Sequence, residues 1–324
     1  MGDSQLNKAE RGRQRWFRKL PALGLICLAC LPLARDARER APDRVAMPPR
    51  TAAIRYTAVT LPPDAGGGVR VVGAWRVAAD DPRLAGLSAL ATRPGGLLAL
   101  ADSGWLIDLP RPGAGTVGRF RDLPTGPGPA NFKKNRDSEA LAATADGWWV
   151  TFEFRHSLWR FTADWRSGRQ LASLRPYRWR VNTGVEGIVQ TPDGRWLLLP
   201  ENGRYVLEAT AAGLRRRPLR GATGGIADAA RLPDGRMVVA VREVDWGIVN
   251  RLAWLTPAGA GYRLQPFATL PLGLLDNVEG LTAEPLPGGR TRLWAVTDND
   301  GWRRTLLLEL ELPAPPGRRP ASGR

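Results

Sequence analysis

An internal repeat constrains this chain more than any other feature of its sequence. Each copy has a short apolar stretch with an acid near its start, a turn containing Asp-Gly or Gly-Gly, and a second apolar stretch ending at another acid. The first stretches of the four clear copies begin at Asp137, Gly184, Ile226 and Asn277, and a weaker fifth begins at Gly86. Aligned on the acid, or on serine in the weak copy, the anchors are Ser88, Glu139, Glu186, Asp228 and Glu279, at intervals of 51, 47, 42 and 51 residues. Repeats of about 40–50 residues with several strands each are typical of β-propeller blades.

The turns and the composition favour the same architecture. Asp-Gly is a strong hairpin signal because the turn needs positive φ. The chain has 37 Gly and 28 Pro, which suits many short strands joined by tight turns. We therefore predict an all-β fold, a β-propeller of five or six blades spanning residues 53–312. Residues 53–80 and the strand 305–312 are candidates for a sixth blade, and pairing of the first and last strands in one blade would close the ring and remove exposed edges.

The repeated acids predict a site on the propeller axis. A position repeated in every blade is brought to one face near the centre, where hard oxygen ligands suit Ca²⁺ or Mg²⁺. The predicted metal ligands are Glu139, Glu186, Asp228 and Glu279. A second series follows the next apolar stretch, at Asp102, Glu153, Glu201, Glu243 and Asp298. From it we predict Glu153 or Asp298 as the general base. The alternative is that these acids bind backbone amides of the adjacent blade and have no ligand.

Two arginines lie close to these acids in sequence. Arg242 and Arg304 are predicted to hold an anionic substrate or to neutralise the acids. The alternative for each is an ordinary salt bridge between blades.

Several other functions are disfavoured. The chain has one histidine, His156, and no Gly-x-Ser-x-Gly elbow, phosphate-binding loop or dinucleotide fingerprint. The net charge of +16 is spread out: residues 51–312 hold 33 basic and 26 acidic residues, without the aromatic interleaving of a nucleic-acid groove. We predict no nucleic-acid partner.

The amino terminus resembles an export signal. Basic residues between 8 and 19 precede an uncharged apolar run from Leu20 to Ala34, which predicts a signal peptide or an uncleaved membrane anchor over residues 1–34. The two cysteines, Cys27 and Cys30, lie in this run, and lipidation of Cys30 is an alternative. Residues 35–52 are predicted as a linker and 313–324 as a flexible tail. The expected location is periplasmic or secreted, with membrane contact only through the amino terminus.

The ordered motifs resemble a known family. Residues 137–141 (DSEAL), 184–188 (GVEGI), 228–236 (DAARLPDGR) and 276–281 (DNVEGL), with the segment 298–308, resemble the phytase-like domain family. The resemblance runs from about residue 70 to 312. It implies an exported, propeller-like protein of phytase-like or esterase-like type, and it defines no catalytic residue. In the first copy Ser88 replaces the glutamate, so one acid of the set is missing there.

Two functions follow as hypotheses. The first is a monomeric, metal-assisted hydrolase of phosphate or carboxylate esters that acts on a small anionic or ester substrate, with Ca²⁺ as the favoured divalent cation. The alternative is a non-catalytic propeller that binds a ligand or protein partner at its axial face.

Overall fold

The computed structural model describes residues 42–298 and 304–315. Every strand described lies in one compact unit that begins at Ala46. Helix in the described residues is limited to three 3-10 turns, Lys133–Asn135, Arg175–Tyr177 and Pro287–Gly289. None of them is long or apolar enough to cross a membrane. The all-β prediction is confirmed, whereas the export signal predicted over residues 1–34 lies outside the described residues.

The strands, in chain order, are β1 (Arg50–Ala58), β2 (Arg70–Ala79), β3 (Leu87–Arg93), β4 (Gly96–Ala101), β5 (Trp105–Pro110), β6 (Val117–Asp122), β7 (Ser138–Thr144), β8 (Gly147–Phe152), β9 (Ser157–Thr162), β10 (Gly168–Ser173), β11 (Val185–Gln190), β12 (Trp196–Pro200), β13 (Tyr205–Thr210), β14 (Gly213–Arg220), β15 (Gly225–Arg231), β16 (Met237–Val244), β17 (Ile248–Ala258), β18 (Gly261–Thr269), β19 (Asn277–Pro285), β20 (Thr291–Asp298) and β21 (Leu306–Leu312).

The strands form five antiparallel repeats of four. Repeats 1 to 4 are β3–β6, β7–β10, β11–β14 and β15–β18, and consecutive strands pair within each. The Asp-Gly turns join first and second strands as predicted. Gly194 and Gly235 have φ values of 86° and 93° there, a region that side-chain-bearing residues rarely adopt.

Repeat 5 combines the two ends of the described chain. β19, β20 and β21 pair in order, and β21 pairs in turn with β2. The early and late strands therefore lie in one sheet, and β2 completes a four-stranded unit with them. β1 then bridges β2 and β6 of repeat 1, and it begins at Arg50, inside the predicted linker. Hydrogen bonds between outer strands join the repeats into sheets of nine, four and eight strands.

The first strands of the five repeats form a ring. β3 lies against β7, β7 against β11, β11 against β15, β15 against β19, and β19 against β3. Small residues permit the close approach: a side chain at Gly280 would collide with the backbone of Ala89 and Leu90. The arrangement is propeller-like, with its first strands around a common centre.

The second strands fill the layers between repeats. In β4, Leu97 and Ala99 pack towards Leu307 of repeat 5, whereas Leu98 and Leu100 pack towards repeat 2. Both faces of β4 are therefore buried, which explains why its sequence is an uninterrupted apolar run rather than an alternating one.

Candidate functional site

Strand register brings the two series of acids to one end of the ring. Within each repeat the first strand starts where the second ends, as in the pairs Ser138–Phe152, Val185–Pro200 and Asn277–Asp298. The opposite ends of the five first strands meet around Ala91, Ala142, Val189, Ala230 and Thr282. Residues just inside the first strands and just beyond the second strands therefore share the other end, called here the axial end.

A β-bulge at the axial end sets the direction of the repeated side chain. The pairing skips Ser88 in β3, Glu186 in β11 and Glu279 in β19, and the corresponding irregularity in β7 includes Glu139. A bulged residue is unpaired and its side chain is re-aimed relative to the regular strand. In β15 the skipped residue is Ala227, so the alignment of Asp228 with the other acids was wrong by one residue.

Asp228 ties two first strands together. It occupies the register position of Gly187 and Gly280, and it is 2% exposed. Its Oδ1 accepts the N–H of Ala229 at 2.7 Å, and its Oδ2 accepts the N–H of Leu281 in β19 at 2.6 Å. Burial raises the pKa of Asp228 well above its usual range, while these two hydrogen bonds oppose the rise. Both carboxylate oxygens of Asp228 thus accept hydrogen bonds from backbone amides, which agrees with the alternative in which the repeated acids tie neighbouring repeats together.

Three carboxylates converge beside repeat 2. Asp137, Glu139 and Glu153 each present an oxygen, and these three oxygens lie within 4.8 Å of one another. The N–H of Glu153 donates to the carbonyl of Asp137 at 2.8 Å, which fixes the two chain segments side by side. Because Ca²⁺–oxygen distances are about 2.3–2.6 Å, ligands on opposite sides of one ion are about 5 Å apart at most. The three oxygens therefore fit a single hard divalent cation.

The crowding of these groups opposes their ionisation. Burial, followed by the charges of Glu186 and Asp137, raises the pKa of Glu139 well above its usual range. Burial, followed by Asp137 and Glu201, raises the pKa of Glu153 to about 8. A nearby cation would relieve both effects, because it favours the charged form of each carboxyl group.

Glu186 extends the cluster towards repeat 3. It is 8% exposed and has no hydrogen-bond partner among the described residues. Burial, then Glu279 and Glu153, raises its pKa well above the usual range, and Arg242 acts in the opposite direction. Buried carboxyl groups are normally hydrogen-bonded. An unpartnered one that faces other carboxylates is therefore an unexplained feature of this end of the molecule.

Arg242 neutralises the opposite side of the cluster. Its Nη1 donates to Glu279 Oε1 at 2.5 Å, and its Nη2 donates to Glu201 Oε1 at 2.8 Å. Asn277 donates to the same oxygen of Glu279. Burial lowers the pKa of Arg242, but Glu279 and Glu201 outweigh it and the net shift is upward. We name the group Asp137, Glu139, Glu153, Glu186, Glu201, Arg242 and Glu279 the axial cluster.

Residues 82–301 match the family described as "Phytase-like: Esterase-like activity of phytase". The chain belongs to this family. No curated protein matches it. Among solved structures, virginiamycin B lyase from Staphylococcus aureus is 10% identical, with a TM-score of 0.41 over 80% of this chain and 100% of that one. A luciferin-regenerating enzyme is 13% identical, with a TM-score of 0.41 over 85% and 98%. The PQQ-bound aldose sugar dehydrogenase of Streptomyces coelicolor is 14% identical, with a TM-score of 0.40 over 77% and 100%.

Sequence reasoning missed one cation at the axial end of this phytase-like protein. Lys133 Nζ lies 2.9 Å from Asp102 Oδ2 and 2.5 Å from Asp137 Oδ1. Burial lowers the pKa of Lys133, but the two aspartates outweigh it and raise it overall. Lys133 belongs to the connection between repeats 1 and 2, which is not itself repeated. The sequence offered one indication of its role, which is that lysine is rare in this chain: only four of the 47 basic residues are lysines.

The two remaining predicted residues of the phytase-like protein lie on the repeat 5 side. Asp298 lines an open cleft of about 690 Å³ together with Glu201, Arg242 and Glu279. Arg304 instead pairs with Asp276 through two contacts, Nε to Oδ1 at 2.9 Å and Nη2 to Oδ2 at 2.6 Å. Asp276 Oδ2 also accepts the N–H of Gly273 at 2.8 Å, so Arg304 stabilises this loop.

Proposed function

We propose that the protein is a five-bladed β-propeller that hydrolyses phosphate or carboxylate esters with the help of a divalent cation at the axial cluster. The five repeats are the proposed blades. The cyclic packing of their first strands, with β2 and β21 sharing repeat 5, supports this count.

Asp137, Glu139 and Glu153 are the proposed cation ligands. Their oxygens are close enough for one ion, and the set consists of hard carboxylates without nitrogen or sulfur, which favours Ca²⁺. When bound, the cation would polarise the ester and lower the pKa of a water molecule. Glu153 thus moves from the general base predicted by sequence to the cation site.

Glu186 is the proposed proton donor. Burial and the neighbouring carboxylates raise its pKa and so favour its protonated form, and it has no hydrogen-bond partner among the described residues to hold that proton. A carboxylic acid of this kind can protonate a leaving alkoxide. Arg242 forms salt bridges with Glu201 and Glu279 on the far side of the cluster, so these two carboxyl groups already have a basic partner.

Convergence of three carboxylates, rather than the family name, carries this proposal. Export to the periplasm or medium stays a prediction, as do the monomeric state and the absence of a nucleic-acid partner. The proposed substrate is a small anionic or ester compound.

The test is hydrolysis of p-nitrophenyl phosphate and p-nitrophenyl acetate by the full chain, with Ca²⁺ or with EDTA. We expect Ca²⁺-dependent turnover that falls at least 100-fold in Glu139→Gln. The matched control is Glu311→Gln, because Glu311 pairs with Arg70 and Arg290 away from the axial end. Equal turnover in EDTA, or equal loss in both variants, would show that the carboxylate site does not perform the reaction.

A second candidate is a non-catalytic propeller. The backbone contacts of Asp228 and the bridging of Glu201 and Glu279 by Arg242 favour it, because both are ties between repeats. Under this hypothesis neither ester is hydrolysed, and Ca²⁺ leaves the melting temperature unchanged.

A further inference from the structure

A second cavity of about 470 Å³ has a charge opposite to that of the axial cluster. It lies between the loop 126–128, which follows repeat 1, and the outer strands β9 and β10 of repeat 2. The side chains that matter here are Arg155, Ser157, Trp159, Ser173 and Arg175. No acidic residue of the described chain lines it. We call it the Arg155 pocket.

Arg155 is positioned by a buried amide. Its Nε donates to Asn135 Oδ1 at 2.6 Å, and Asn135 Nδ2 donates to the carbonyl of Pro129 at 2.9 Å. Asn135 is 1% exposed, so its orientation is fixed. The hydrogen bond uses Nε and leaves the Nη groups of Arg155 without a protein partner among the described residues. These are the groups that bind oxyanions.

A second cation and a hydroxyl group stand on the same cavity. Arg175 is exposed and makes no ion pair with the described residues. Ser157 is 2% exposed, and its Oγ accepts the indole N–H of Trp159 at 3.1 Å. Since that oxygen is already an acceptor, its own proton is available for donation. Burial, then Arg175, lowers the pKa of the neighbouring His156.

The pocket contrasts with the way this protein treats its other partly buried arginines. Arg242 is bridged by two carboxylates, and Arg217 contacts Glu208. Two arginines that face one cavity without a carboxylate repel each other, and a bound anion offsets that repulsion.

The pocket adjoins the axial cluster along the chain. Arg155 follows Glu153 by two residues, and Asn135 precedes Asp137 by two. Two residues span at most about 7 Å between Cα atoms. The pocket and the carboxylates Asp137 and Glu153 are therefore built on the same two chain segments.

We propose that the Arg155 pocket binds a phosphoryl group. A phosphoryl group presents oxygens in several directions, which suits donors from a turn, a strand and a 3-10 segment better than a planar carboxylate does. A second part of the inference rests on the proposed function: the substrates are phosphorylated compounds. One phosphoryl group of such a compound would lie in the pocket, and the ester would lie at the axial cluster.

The test is calorimetric titration of the full chain with inorganic phosphate, phenyl phosphate and acetate, all in EDTA. We expect one saturable site for both phosphates, with acetate at least tenfold weaker. Arg155→Gln and Arg175→Gln should each weaken phosphate binding at least tenfold. Arg169→Gln is the matched control, since Arg169 is an exposed arginine of β10 that does not line the pocket. Arg175 is exposed, so its variant keeps the test valid if Arg155→Gln fails to fold.

Each contrary outcome has a distinct meaning. Phosphate binding that needs Ca²⁺ would place the anion on the cation and overturn the pocket assignment. If Arg169→Gln weakened phosphate binding equally, the binding would be due to the overall positive charge of the protein, and the pocket assignment would be wrong. Acetate binding as tightly as phosphate would overturn the phosphoryl assignment, and binding of inorganic phosphate alone would overturn the substrate class. Phosphate binding in EDTA without any ester turnover would leave this pocket standing while the proposed function failed.

Discussion

Glu153→Gln should stabilise the cation-free protein at alkaline pH. The folded protein holds the pKa of Glu153 at about 8, against an ordinary value of 4.5. Between those values the unfolded chain carries an ionised carboxylate, while the folded chain retains the proton. The folded state therefore binds more protons, and its stability falls as the pH rises from about 4.5 to 8. Glutamine has no charge to lose, so the variant escapes this penalty.

The size of the effect follows from the shift. One pKa unit corresponds to about 1.4 kcal/mol, which sets an upper limit of about 5 kcal/mol for Glu153. Its side chain is partly exposed, and solvent screening reduces the contribution to about 2 kcal/mol. For a folded body of this size, that corresponds to a rise of about 3–4 °C in melting temperature at pH 9.

The assay is thermal unfolding followed by circular dichroism in EDTA between pH 4.5 and 9. The advantage of the variant should shrink as the pH falls from 8 towards 4.5. With excess Ca²⁺ the order should reverse, because the wild type gains binding energy and the variant has lost a ligand. A variant that melts below the wild type in EDTA at pH 9 would refute the reasoning, because it would mean that the Glu153 carboxylate stabilises the cation-free fold.

Two further substitutions test Glu208, which is paired with arginines, and Asp228, which binds backbone amides. Glu208 has a 4% exposed side chain that contacts Arg195, Arg217 and Tyr262, and these outweigh burial to hold its pKa low. Glu208→Gln should cost about 3–5 kcal/mol in urea unfolding at pH 7. The loss should shrink as the pH falls from 4.5 through the lowered pKa, and a loss that does not change with pH would contradict this account. Asp228→Asn places an amide against a backbone donor, so it should cost about 1–3 kcal/mol and leave the Ca²⁺ response intact; a weakened response would return Asp228 to the cation site.

The sequence predicts the repeats well because their signals are local. The Asp-Gly turns need a residue of positive φ, and Gly194 and Gly235 supply it. The second strands read as unbroken apolar runs because neighbouring repeats bury both faces, as in β4. Pairing between the first and last strands also followed from the cost of leaving sheet edges exposed, and β2 and β21 do pair.

The register of one acid was beyond the sequence. Asp228 follows the apolar Ala227 much as Glu186 follows Val185 and Glu279 follows Val278, so alignment by residue type places it with them. Only the hydrogen-bonding pattern reveals that Ala227 is the bulged residue. A one-residue offset in a strand changes the face on which a side chain lies, which here separates a tie between strands from a member of the axial cluster.

Residues outside the repeats were also beyond reach. Lys133 and Asn135 lie in a 3-10 turn between repeats 1 and 2. Nothing in a repeat alignment selects such a segment, because no other copy has an equivalent. Their roles come from three-dimensional contacts with Asp102 and Arg155.

The bulges also explain why the axial end is asymmetric. Five equivalent glutamates would have produced a symmetric ring, but Ser88 and Ala227 break it in repeats 1 and 4. Ser88 donates to the carbonyl of Ser138 at 2.7 Å, so its position serves as a tie between strands. Of the three glutamates that remain, Arg242 neutralises Glu279, whereas Glu139 and Glu186 keep raised pKa values. The carboxyl groups with raised pKa values are thereby confined to the side of repeats 2 and 3, where a bound cation would favour their charged forms.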